Sequence, residues 1–250
     1  MQTPARRERE RLKGDAQMRR VNEVRYTEFR MACDAGEATA CNSLGEWWSV
    51  MRGQYDKAAT VFARACIDMG QPQSCMNLGI LYASGRGLRK SAPKAVAFWD
   101  RACEAGNGDS CEMAGREYLR GVSVPAQPAR GAAFLAKACE QLGHGKACNA
   151  LAEVLLVGKY GQARDAVKAR YLLDRACQQH EISACRNLSV MYRRGDGVAV
   201  DVDQANAYFR QAVELTEAQT GKKVYLGGTA SSGGSGGAGV GGDGREAAGE

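Results

Sequence analysis

Ten cysteines fall into five close pairs that recur along the chain: Cys33 with Cys41, Cys66 with Cys75, Cys103 with Cys111, Cys139 with Cys148, and Cys177 with Cys185. Their first members lie 33, 37, 36 and 38 residues apart. A period of this length marks a stack of helical hairpins, each of which buries its apolar face against its neighbours.

Other positions keep the same register. Seven residues after each second cysteine stands an aromatic or Leu (Trp48, Tyr82, Tyr118, Leu155, Tyr192), and four residues after it a small side chain (Gly45, Gly79, Gly115, Ala152, Ser189). Such spacings share one helical face, and the small residue lets a neighbouring helix approach closely. We designate this segment helix A. A second amphipathic segment, helix B, precedes each first cysteine, with a large apolar residue four positions before it (Phe29, Phe62, Trp99, Leu135, Leu173) and Ala directly before it. Turn signals such as Gly85-Arg-Gly87 and Gly195-Asp-Gly197 separate A from B, and Asp56 and Asp203 stand where an N-cap of helix B is expected.

Cysteine spacing alternates between eight and nine, yet Gly36, Gly70, Gly106 and Gly143 all stay five residues before the second cysteine. A glycine just past a helix end suits a left-handed C-terminal cap, so the extra residue of the longer loops belongs on the helix B side. His180 fills that slot in the fifth loop, where it either tolerates a positive φ or marks a different turn. The last helix B (Ala205, Phe209, Ala212) places Val213 where a first cysteine is due. No helix A follows, so a cysteine there would have no partner. The expected fold is all-α, a solenoid of antiparallel hairpins with about eleven helices.

Cysteines on either side of a tight helix-to-helix turn come within disulfide reach. Closing a loop of this size contributes about 2.5 kcal/mol on the chain-entropy estimate. Buried reduced thiols and metal ligation are the alternatives. Zinc would need four ligands where each turn offers two, and His144 and His180 are the only histidines. Five disulfides would imply an oxidising compartment. Without a recognisable signal peptide, the mitochondrial intermembrane space is then the expected location.

Charge is concentrated at one end. Of the net +6, residues 1–20 supply +4, with Arg6, Arg7, Arg9 and Arg11 as candidate interaction residues. The near-balanced remainder gives no footprint for nucleic acid. No apolar run approaches the roughly 20 residues of a membrane span. At the other end, eleven of the 24 residues from 227 to 250 are glycine, the composition of a flexible extension. The expected divisions are a basic arm (1–21), the solenoid (22–216), a post-repeat segment (217–226) and the glycine-rich tail (227–250).

Other motifs carry little chemistry. Ser91-Ala-Pro-Lys94 matches the S-x-x-K of serine beta-lactamases without its companion motifs, and reads as the start of a helix B. Gly143-His-Gly145-Lys146 lacks the spacing of a phosphate loop, and there is no C-x-x-C. With Trp48 in the core register, its neighbour Trp47 is either an exposed anchor or packing for the N-terminal helix.

The segments CNSLGEWW, CMNLGILYASGRG, CEMAGREY and CRNLSVMYRRGDGV resemble Sel1-like repeats, hairpins related to the tetratricopeptide class. With cysteines at the B-to-A turns they resemble the cysteine-rich, beta-lactamase-like Sel1 proteins. Within that group the resemblance is greatest to the mitochondrial cytochrome c oxidase assembly factor seven family, through RYTEFRMACDAGEATAC, YDKAATVF and TGKKVYLGG. It implies a non-enzymatic scaffold of the intermembrane space that serves the respiratory chain, as an assembly factor or a resident accessory subunit. Its partners would be respiratory-complex subunits, with membrane-surface association only through them, and no cofactor or metal is implied. A thiol-disulfide reductase or haem-handling factor is the rival from the enzyme class, and a secreted bacterial binding protein the other. No cysteine is left over after pairing for thiol exchange.

Overall fold

The computed structural model describes residues 4–223, excepting the side chains of residues 4–10 and 12–14. Every regular element among them is helical: α1 (Pro4–Asp34), α2 (Ala38–Glu46), α3 (Tyr55–Ile67), α4 (Pro72–Ser84), α5 (Ala92–Glu104), α6 (Gly108–Arg120), α7 (Pro128–Ala136), α8 (Gly145–Val157), α9 (Ala166–Gln178), α10 (Ile182–Arg194) and α11 (Val202–Thr220). Even-numbered helices are helix A and odd-numbered ones helix B. Each packs mainly on its neighbours in sequence, which makes the expected solenoid.

The two apolar positions that define the repeat meet each other. A β-carbon at Gly45 would run into the Phe62 ring, and one at Gly79 into the Trp99 indole. At Gly115 it would lie 3.0 Å from Leu135 Cγ. The small residue of helix A is thus the seat for the large residue of the helix B that follows. Aromatic pairs close the far end of three hairpins: Tyr82 on Phe98, Tyr118 on Phe134 and Tyr192 on Tyr208, with centroids 5.6, 6.1 and 5.7 Å apart.

The turns follow the glycine pattern. Gly36, Gly70, Gly106 and Gly143 have φ of 96, 67, 91 and 65°, and His180 adopts 64° in the same slot. The histidine therefore accepts the left-handed conformation. In the fourth pair the extra residue is absorbed by a π-helical turn over Lys137–Gln141, on the helix B side of the loop.

One expectation needs correction. Asp56 and Asp203 lie in the first turns of α3 and α11, where they favour the helix dipole, while the cap positions belong to Gln54 and Asp201. α1 runs without a break through residue 21, where the basic arm is expected to end. Trp48 is only half-buried, and Trp47 is the deeper of the two. Both keep helix A register, since Leu81, Val154 and Met191 are buried at the position of Trp47 and Tyr82 and Tyr192 are half-buried at that of Trp48; a second π-helical turn, Trp47–Met51, ends the element. The tail at 227–250 lies outside the described residues.

Candidate interaction face

All ten cysteines are joined in sequence order, with Cα–Cα distances of 4.5 to 4.8 Å. Each disulfide is buried where a helix B ends and the next helix A begins. No cysteine is left free. His144 is held by structure: its Nδ1 accepts from the Ala147 amide at 3.3 Å, so Nε2 carries the proton it shares with Asp109 at 3.0 Å. Ser91 precedes α5 as its cap residue, and Lys94 sits over the Tyr82 ring, 5.3 Å from its centroid.

Amides tie α2 to α4 and α8 to α10. Asn42 Nδ2 donates to Glu46 Oε1 at 2.9 Å, and from the next helix A Asn77 Nδ2 donates to Asn42 Oδ1 at 3.1 Å. The same triangle recurs farther along: Asn149 donates to Glu153 at 2.8 Å, and Asn187 donates to Asn149 at 2.8 Å. These contacts fix the rotation of one helix A against the next. They leave grooves between them, floored by helix B side chains. Between α2 and α4 the groove lies over Phe62 and is lined by Glu46, Val50, Asn77 and Ile80, with Arg86 balancing the acid. Between α6 and α8 it lies over Leu135, with Val154 and Val157 flanked by Arg116, Arg120 and Lys159 against the single acid Glu153. Apolar floors with polar rims suit protein segments.

Helices B are tied by cations. Two residues before each first cysteine from the second pair onward stands Arg64, Arg101, Lys137 or Arg175. Arg101 donates to the Ile67 carbonyl at 3.0 Å, Lys137 to the Cys103 carbonyl at 2.9 Å, and Arg175 to the Cys139 carbonyl at 3.3 Å. Arg64 pairs with Asp34 at 3.7 Å. Arg101, Lys137 and Arg175 thus cap the carbonyl end of the preceding helix B, where the helix dipole is negative, while Arg64 reaches a side chain there instead. The amide and cation positions escape a reading of the sequence by apolar periodicity, although both keep the cysteine register.

One buried polar cluster joins the second and third hairpins. The Tyr118 hydroxyl donates to Asp100 Oδ2 at 2.6 Å, and Arg130 donates to the same oxygen at 2.7 Å while lying over the Tyr118 ring. Burial raises the Asp100 carboxyl above its ordinary range, against the opposing pull of Tyr118 and Arg130. Burial, then the bond to Asp100, pushes the Tyr118 phenol up to about 12.

Trp47 is not an exposed anchor: it is 7% exposed and packs on Tyr26 of α1, ring centroids 4.7 Å apart, with the Arg52 guanidinium 5.0 Å from its ring centroid. It fastens the N-terminal helix to the first hairpin. Arg11 is exposed on α1, and the side chains of Arg6, Arg7 and Arg9 lie outside the described residues.

The Sel1 repeat family model matches residues 72–107, 108–141, 145–180 and 182–216, each match spanning one helix A and the helix B that follows. The chain is 26% identical over 215 residues to cytochrome c oxidase assembly factor 7 of Xenopus tropicalis, covering 83% of this chain and 93% of that one. It is 30% identical over 186 residues to the protein of the same name from Mus musculus, covering 72% and 80%. Among solved structures, a Sel1 repeat protein from Oxalobacter formigenes superposes with a TM-score of 0.68 at 23% identity, over 80% of this chain and 87% of that one.

Proposed function

This chain belongs to the Sel1 repeat family, alongside the proteins named cytochrome c oxidase assembly factor 7, and we propose that it is a non-enzymatic interaction scaffold that supports assembly of cytochrome c oxidase. We place it in the mitochondrial intermembrane space. The observation that carries this reading is the match along nearly the whole length of proteins with that name, through a fold whose regular feature is a surface of helices A. The location is supported by the disulfide in every B-to-A turn, since bonds in such number persist in oxidising compartments. The non-enzymatic reading is supported by the engagement of every cysteine and by the structural duties of His144, Ser91 and Lys94.

The test is to purify the full chain from mitochondria by an affinity handle, resolve the complexes on native gels and identify co-migrating subunits by mass spectrometry. Cytochrome c oxidase subunits or their assembly intermediates are the expected companions. A chain that migrates alone, with cytochrome c oxidase levels unchanged in its absence, overturns the reading. Protease protection after outer-membrane rupture checks the compartment separately, and ten reactive thiols in that material would refute the disulfide argument for it.

A further inference from the structure

Among the described residues the array begins and ends on a helix B, and no helix A follows the last of them, α11. In the interior the large residue four positions before the first cysteine is covered: Phe62, Trp99, Leu135 and Leu173 are 2, 8, 0 and 0% exposed. Phe62 packs with Leu78 and Leu81 of the next helix A. Phe209 holds the same register in α11, and it is 39% exposed. It floors a groove of about 380 Å³ lined by Arg186, Ser189, Val190, Arg193 and Arg194 of α10. In the interior grooves over Phe62 and Leu135, this space is bordered by residues of the next helix A.

The rim indicates the charge of what would fit. Where a next helix A exists, its residue two positions after the cysteine meets the preceding helix A one position after its own cysteine, as Asn77 meets Asn42 and Asn187 meets Asn149. On α10 that receiving position is Arg186. The groove there holds three arginines and no acid. Arg193 donates to the neutral Asn206, and neither Arg186 nor Arg194 has an acidic partner among the described residues.

We propose that the open C-terminal end of the solenoid is a docking site for an acidic amphipathic helix of a partner protein, seated where a sixth helix A would lie. It would place a Leu on Phe209, as Leu44, Leu78, Leu151 and Leu188 are buried three residues after their cysteines, and a carboxylate against Arg186. The glycine-rich residues 227–250 of this chain lack the apolar spacing for such a helix. The site goes beyond the scaffold reading by naming where and by what chemistry a partner binds.

A fluorescein-labelled peptide with the α4 sequence Pro72–Ser84 bearing Cys75→Ser and Asn77→Glu is the probe, titrated with the purified full chain by fluorescence anisotropy. Saturable binding is expected, weakened about tenfold by Arg186→Glu and by an Asn77→Lys peptide, the scale of one close charge pair. Phe209→Asp is expected to abolish it. Both protein variants change exposed side chains, and an unchanged melting temperature confirms that they fold. The proposal is overturned by no saturation up to about 100 µM. It is equally overturned by affinity indifferent to Arg186→Glu, or by affinity that rises about tenfold in a full chain carrying Tyr225→Ser and Leu226→Ser, which would mean that its own post-repeat segment fills the groove. Failure in this assay leaves the mitochondrial reading standing, because no mitochondrial component is used.

Discussion

A β-carbon at Gly79 would press on the Trp99 indole and come within 3.0 Å of the Ala95 carbonyl, so the helix A glycine sets how closely the hairpin closes. Alanine there would gain about 1 kcal/mol in helix propensity and lose about 1–3 kcal/mol to overpacking. Gly79→Ala is therefore expected to lower the urea midpoint despite the better helix former, and Trp99→Phe in the same chain to restore part of it. Tyr118 makes a different prediction. Its phenol is pushed from 10.0 up to about 12, so the folded state keeps a proton that the unfolded chain releases. That contribution is complete below pH 10 and is lost as pH rises from 10 through about 12. Tyr118→Phe should flatten the fall in urea midpoint over this range. At neutral pH it should cost about 1–3 kcal/mol, because Asp100 loses a buried donor.

At the scale of the element, the cation two residues before each first cysteine from the second pair onward acts as the handle of one helix B on the previous one. Lys137→Met removes the bonds to the carbonyls of Cys103 and Glu104 and is expected to cost about 0.5–2 kcal/mol. Hydrogen exchange should quicken in the turn at 104–108 while α10 is unaffected. Helix identity and order were legible in the sequence because the cysteines supply a phase against which every apolar position can be counted. Helix starts were less so, since Gln54 precedes α3 without a side-chain cap bond while Asp56, a residue type favoured at caps, stands inside the first turn. The burial of Trp47 was legible in the register, since Leu81, Val154 and Met191 hold the same place six residues after their cysteines and only Glu117 interrupts the row. Lys137 and Asn77 were hidden: a polar residue on a helix reads as solvated until the neighbouring helix is in place. The open groove over Phe209 follows from the register alone, whereas its arginine rim required α10 and α11 to be seen together.

Over the whole molecule, stability is a sum of hairpins and their interfaces. Replacing Cys103 and Cys111 with Ala is expected to cost about 2.5 kcal/mol on the chain-entropy estimate and to loosen the α5–α6 turn first, visible as local hydrogen exchange. Full reduction should lower the melting temperature by more than any single pair, since the five closed loops lie in separate turns. The cation of α5, α7 or α9 caps a helix B from the preceding repeat, so each of these units brings with it the means of fastening to the one before. A duplicated stretch of chain would arrive already equipped to join the stack, which makes the number of repeats a quantity that inheritance can change by copying, without redesigning any interface.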